Sequence, residues 1–209
     1  MSSDSAVVYV VDDDYRVRES LSSLLSSVGL RVAVFSSAAE FQKFEKPDAP
    51  ACLVLDLQLP GASGLELQQE LAAGNAPPIV FISGHGDIPS SVRAMKGGAI
   101  EFLSKPYSEQ ELLKAINAAI ALDRTEREKR SEFAELRRHY NLLTVREREV
   151  LPFVVAGFAN KVTAADLGTS EITIGVHRGQ IMRKMGAKSL AELIRMADKL
   201  QLTRVSKAV

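Results

Sequence analysis

Residues 7–20, VVYVVDDDYRVRES, run an unbroken apolar segment into three consecutive acids, Asp12, Asp13 and Asp14, and then into a helical pattern. Adjacent carboxylates repel one another, so the run needs a counter-cation, a proton or open solvent. The apolar part is β-branched and aromatic with no polar alternation, which is the pattern of a strand covered on both faces. Asp14, directly before Tyr15, suits a helix N-cap. Asp12 and Asp13 are left at the C-terminal end of a strand.

Four further segments repeat the theme: RVAVF, CLVL, PIVFI and IEFL, each bounded by Gly, Pro, Ser or Asp and separated from the next by amphipathic stretches such as RESLSSLLSSVG. The β-α alternation predicts an α/β fold with a doubly wound, five-stranded parallel sheet. Ser/Thr-x-x-Glu, the pattern that satisfies the free N–H groups of a helix start, occurs at Ser37/Glu40, Ser63/Glu66, Ser108/Glu111, Thr144/Glu147 and Ser189/Glu192. Each precedes an apolar-periodic segment.

At 209 residues the chain has room for two small domains. The zero net charge conceals an asymmetry: residues 1–122 hold 9 Lys/Arg against 15 Asp/Glu, and residues 123–209 hold 17 against 11. An acidic front and a basic back point to separate tasks, the second involving a polyanion. Residues 121–140, dense in mixed charge and free of Gly and Pro, read as a solvated helix. The expected organisation is a first domain over 1–122, a helical linker over 123–142 and an all-α domain over 143–209. No apolar run reaches the ~18 residues of a membrane span. With a polar start and a lone Cys52 among apolar neighbours, a cytoplasmic location is the expectation.

In a parallel sheet the C-terminal strand ends share one edge, where open α/β folds build their sites. Asp12 and Asp13 follow the first strand, Asp56 closes the third, Ser83 closes the fourth and Lys105 follows the fifth. Taken singly, Asp12 and Asp13 would be solvated loop acids and Lys105 a surface lysine. Together they suit a hard divalent ion, Mg²⁺ or Mn²⁺, which takes oxygen ligands and recruits a phosphate. Asp56, between CLVL and the LPGASG turn, is then the nucleophile on phosphorus. Ser83 and Lys105 would hold the phosphoryl oxygens.

VVDDD, LDLQLPGASG, FISGHGD and FLSKPY occur in order and resemble the receiver domain of two-component response regulators, a flavodoxin-like sheet of strand order 2-1-3-4-5. The resemblance implies that Asp56 accepts a phosphoryl group from a sensor histidine kinase. It implies that Asp13, Asp56 and the Gln58 carbonyl ligate the metal and that Asp12 acts through a bound water. By the same resemblance Ser83 and Phe102 form a switch, and the Lys105–Pro106 bond is cis. Gln58 and His85, two residues beyond Asp56 and Ser83, are placed to modulate water attack.

In the basic half, NKVTAADLGTSEITIGVHRGQIMRKM has a helix, a turn at residues 167–170 carrying Gly168, and a second helix, the helix-turn-helix layout. Ile174, His177, Ile181 and Met185 recur at helical spacing and should face a core. Ile172, Gly175, Val176, Gly179, Gln180 and Arg183, with Thr173 beside them, form the stripe that would meet a major groove. Arg178, Lys184 and Lys188 flank it, within reach of phosphates. LTVREREVL, ANK, TSEITIGVHRGQIMRKM and AKS resemble the FixJ/NarL (LuxR-type) output domain, FixJ-like branch. The joint resemblance implies a phosphorylation-controlled transcription factor that is not an enzyme, acts as a homodimer on promoter DNA and contacts RNA polymerase. Two rivals stand beside it. An Asp-nucleophile phosphohydrolase needs an acid where Gln58 stands; an adaptor would use its helix-turn-helix on protein. Gly175 and Gly179 depart from relatives that carry polar, base-reading residues there. Thr163 and Thr169 replace aliphatic residues, and either hydroxyl, if buried, needs a partner.

Overall fold

The computed structural model describes residues 6–84 and 88–202. The chain divides into two compact units, Met1–Arg127 and Glu128–Val209. In the first, β1 (Val7–Val11), α1 (Tyr15–Ser27), β2 (Arg31–Phe35), α2 (Ala38–Lys43) and β3 (Ala51–Asp56) lead to a short antiparallel ribbon, β4 (Gln58–Leu59) and β5 (Ala62–Ser63). Then follow α3 (Gly64–Leu71), β6 (Ile79–Ser83), α4 (Ile88–Lys96), β7 (Glu101–Ser104) and the start of α5 (Glu109–Asn141). The five longer strands form one parallel sheet in the order β2-β1-β3-β6-β7, which is the predicted doubly wound order.

Strand periodicity sorts the core into two layers. Val7, Tyr9, Val11, Leu53, Leu55 and Phe81 face Phe41 of α2 and Leu67 of α3. Val8, Val10, Cys52, Val54, Val80 and Ile82 face Leu21 and Leu25 of α1 and Leu112 and Ile116 of α5. β1, β3 and β6 are buried throughout, whereas the edge strands β2 and β7 are partly exposed. Burial pushes the Cys52 thiol up, so it remains a protonated core side chain. Register positions the chemistry: Val11 pairs with Leu55, so Asp12 and Asp56 leave the sheet side by side.

Gly64 opens α3 where the chain returns beneath Asp56. Its N–H donates to the Leu57 carbonyl at 2.9 Å, and a Cβ there would stand 2.4 Å from the Asp56 carbonyl oxygen and 3.0 Å from the Phe81 ring. Gly64→Ala therefore has to displace backbone, and should lower stability by about 1–3 kcal/mol, read as a fall in the denaturant midpoint.

The first unit extends past the expected boundary at residue 122. Asp123, 3% exposed, accepts the Ala51 N–H at the start of β3 (2.8 Å) and Arg127 Nε (2.7 Å). Arg127 reaches on to Asp48 at 2.5 Å. Residues that read as solvated linker thus anchor α5 to the sheet.

The second unit contains the C-terminal part of α5 with α6 (Val145–Val155), α7 (Asn160–Asp166), α8 (Glu171–Met185) and α9 (Leu190–Lys199). Leu136, Leu143, Val150, Leu151, Ile174, Ile181, Met185, Leu193 and Ala197 form its core. The sharp turn between α7 and α8 uses Gly168 at φ +64°, a left-handed conformation that glycine adopts without a side-chain penalty. Ser170 then caps α8, accepting the Thr173 N–H at 3.1 Å. Each of the five Ser/Thr-x-x-Glu patterns starts a helix. Ser63/Glu66, Ser108/Glu111 and Thr144/Glu147 bond reciprocally; Glu40 and Glu192 reach instead to Ser36 and Lys188, one residue before the cap.

Candidate functional site

The strand ends bring Asp12, Asp13 and Asp56 together so that one carboxylate oxygen from each lies within 4.8 Å of the others. Lys105 Nζ donates to Asp12 Oδ2 at 2.9 Å and lies 3.8 Å from Asp56 Oδ2. Ser83 is buried beside them at the end of β6, and its carbonyl accepts the Lys105 N–H at 2.7 Å. Asp14 caps α1 by accepting the Arg16 N–H at 2.8 Å, and its own N–H donates to Asp12 Oδ1 at 2.9 Å. The Lys105–Pro106 bond is cis. Gln58 is exposed in β4, while His85 lies outside the described residues.

Electrostatics follow from this crowding. Burial pushes the Asp56 carboxyl above the usual carboxylate range, assisted by the Asp12 charge and opposed by Lys105 and by the Gln58 and Leu57 N–H groups. Burial alone would lower Lys105, but its hydrogen bond to Asp12 and the charges of Asp56 and Asp12 outweigh that and hold the ammonium above its usual range. Three carboxylates against one ammonium leave negative charge in surplus, and the donors are all hard oxygens. That set fits a divalent cation of the magnesium type.

Arg18, which the sequence reading passed over, donates to the Asp12 and Asp13 carbonyls at 2.7 and 2.9 Å and so fixes the acidic loop. Its only signal is a basic residue one turn into the helix that follows the acids. Phe102 is half-buried, its ring 6.2 Å from that of Phe81. Nearby in sequence, α4 exposes Ile88, Val92 and Met95.

In the second unit Ile174, Ile181 and Met185 are buried as predicted, and His177 is half-buried. On the opposite side Ile172 is 82% and Val176 58% exposed, and Gly175, Gly179 and Arg183 are also exposed. Gln180 is half-buried and accepts from Arg183 at 2.5 Å. Three polar residues expected near DNA have internal partners. Thr173 Oγ1 bonds Ser170 Oγ at 2.8 Å, and Arg178 donates to the Phe158 carbonyl at 3.1 Å. Lys184 bonds both oxygens of buried Glu147, at 2.7 and 3.0 Å. Helix spacing alone does not reveal that α6 offers Lys184 this carboxylate. Lys188 is exposed. Thr163 is buried with its hydroxyl bonded to the Ala159 carbonyl at 3.2 Å, so its departure from an aliphatic residue leaves no orphan; Thr169 is only half-buried.

Residues 8–117 match the response regulator receiver domain family, and residues 141–197 match the bacterial regulatory proteins of the luxR family. The chain belongs to the response regulators. As such it couples a phosphoacceptor receiver to a LuxR-type DNA-binding domain, an organisation whose partners are a sensor kinase and DNA. This response regulator is 51% identical over 203 residues to nodulation protein W of Bradyrhizobium diazoefficiens, covering 97% of this chain and 89% of the relative. It is 47% identical to the response regulator protein TmoT of Ectopseudomonas mendocina, covering 96% and 92%. Among solved structures, response regulator StyR matches with a TM-score of 0.85 at 46% identity, over 93% of this chain and 99% of that one. Full-length FixJ of B. japonicum matches with a TM-score of 0.55 at 35% identity, over 96% and 100%. Among the described residues no helix of this response regulator is long and apolar enough to cross a membrane.

Proposed function

We propose that Asp56 accepts a phosphoryl group from the phosphohistidine of a sensor kinase and that the modified receiver licenses sequence-specific DNA binding by residues 143–209. The observation that carries this reading is Lys105 Nζ standing 2.9 Å from Asp12 and 3.8 Å from Asp56 at the shared strand edge. An Asp56 oxygen attacks phosphorus, the phosphorus–nitrogen bond breaks, and the leaving imidazole keeps that electron pair and takes up a proton. An acyl phosphate on Asp56 results. Lys105 and the Ser83 hydroxyl donate to phosphoryl oxygens, while Asp12 keeps Lys105 in place. Asp13, Asp56 and the Gln58 carbonyl, with Asp12 through water, would hold Mg²⁺ or Mn²⁺. When bound, the ion offsets the added charge of about −2. Gln58 borders the path of a hydrolytic water.

Ser83 then shifts toward the phosphoryl group and Phe102 turns inward beside Phe81. The exposed Ile88, Val92 and Met95 support this α4 face as the surface through which two copies pair, so that two output domains meet paired half-sites. Such a dimer acts in the cytoplasm on promoters, where contact with RNA polymerase completes regulation. Gln58 in place of an acid stands against a phosphohydrolase.

Fluorescence anisotropy of full-length protein on promoter duplexes, with Mg²⁺ and with or without beryllofluoride as a phosphoryl mimic, tests the proposal. Selective binding should tighten with beryllofluoride; equal binding in both states would refute the switch.

A further inference from the structure

The stripe of α8 that faces outward is short of polar groups. Ile172 and Val176, 82% and 58% exposed, stand one helical turn apart with Gly175 between them and Gly179 a turn further on. Neither glycine serves the fold. A Cβ at Gly175 would have only Asn160 Nδ2 within range, at an ordinary 3.6 Å, and one at Gly179 would meet nothing within 4 Å. Neither has a positive φ. Two glycines inside a 15-residue helix weaken it without any internal compensation, so the space they leave serves something that approaches from outside.

The neighbouring polar side chains narrow what that is. The Thr173 hydroxyl is bonded to Ser170, the Arg178 guanidinium to the Phe158 carbonyl and the Lys184 amine to Glu147. Glu171 is exposed but offers only acceptors, which repel phosphate and the acceptor edge of guanine and leave it only the amino groups of cytosine or adenine. The first turns of α8 therefore present methyl groups and bare backbone. In the major groove the apolar group a base pair offers is the thymine C5-methyl. The cationic excess of residues 123–209 and the exposed Lys188 supply the complement to the phosphate backbone around it.

We infer that the N-terminal half of α8 reads thymine methyl groups: Ile172 and Val176 pack against them, and Gly175 and Gly179 let the helix backbone sit close to the base edges. Polar readout falls to Gln180 and Arg183, one to two turns further along, whose hydrogen bond is to each other on the same outward stripe and not to another element. The inference rests on the DNA-binding reading above and deepens it.

The test starts from full-length, beryllofluoride-activated protein and a selection from a randomised duplex pool. Selected duplexes are then resynthesised with deoxyuridine at single thymine positions, which removes one methyl group and leaves every hydrogen-bonding edge intact. At the thymines facing α8, affinity should fall about fourfold per methyl group removed, and 5-methylcytosine should be tolerated there better than cytosine. Gly175→Ala and Gly179→Ala should raise the melting temperature while weakening binding to the same duplexes. Unchanged affinity on deoxyuridine duplexes, or alanine variants that bind as well as the parent, would overturn the methyl-reading assignment while sequence selectivity persisted. Loss of all selectivity in the parent would instead overturn the DNA-binding reading, and the assignment with it.

Discussion

Asp56→Asn is expected to eliminate phosphoryl incorporation from acetyl phosphate or phosphoramidate, a complete loss rather than a graded one. Of the three clustered carboxylates, Asp12 is engaged by Lys105 and by the Asp14 N–H, and Asp13 is exposed to solvent. Asp56 closes the fully buried β3 with its carboxylate 3.8 Å from the ammonium, close enough to feel its charge but not hydrogen-bonded to it. An amide keeps the shape but lacks the anionic oxygen that forms the acyl phosphate. Folding supplies an internal control. Burial and the Asp12 charge both disfavour an ionised Asp56, so in chelator the Asn variant should melt no lower than the parent. Labelling retained in a well-folded variant would place the acceptor elsewhere.

The second large effect concerns Glu147, which is 4% exposed. It closes the capping box of α6 with Thr144 and accepts from Lys184 of α8. Truncating it removes a cap and strands an ammonium. Glu147→Ala should therefore lower the stability of the second unit by about 3 kcal/mol. Adding Lys184→Met should recover a substantial part of the loss, because the stranded charge goes with it. Burial raises the Glu147 carboxyl, but the hydrogen bonds from Lys184 and Thr144 outweigh it and hold the group below its usual range. A depressed carboxyl contributes stability above the unfolded value, about pH 4.3, and loses it as pH falls through the folded value. Calorimetric melts of Glu147→Gln and parent should accordingly differ at neutral pH and converge in acid. A constant gap across that window would mean that the ionised form contributes nothing.

How much could be read in advance depended on the kind of signal. Strand interiors and ends were legible because burial on both faces forces continuous apolar runs, and a polar residue at the end of such a run has one edge to occupy. Asp12, Asp56, Ser83 and Lys105 met there for that reason. Helix starts were legible because capping chemistry is local. The clamp of Asp123 and Arg127 on β3 was not, since a mixed-charge helix has the same composition whether it is solvated or packed. Nor was the commitment of Lys184 to Glu147, because helix spacing fixes a residue's face and not the partner that another helix brings to it. Arg18 was missed for a related reason: its targets are backbone carbonyls, and those leave no trace in residue identity. The β4–β5 ribbon, two residues on each side, was too short to show a period.

The partners held by the basic unit's own cations bear on how it meets a polyelectrolyte. Lys184, Lys199 and Arg146 each lie against a carboxylate, that of Glu147, Glu132 and Glu149 respectively. A cation paired within its own chain is less available to displace counterions from the double helix. Each phosphate truly neutralised adds about 0.9 to the slope of log affinity against log salt. Cations held in such pairs contribute less than unpaired ones, so the slope should be shallower than a tally of lysines and arginines implies. The unit's affinity should accordingly fall less steeply with added salt than that of a binder whose equal formal charge is all unpaired.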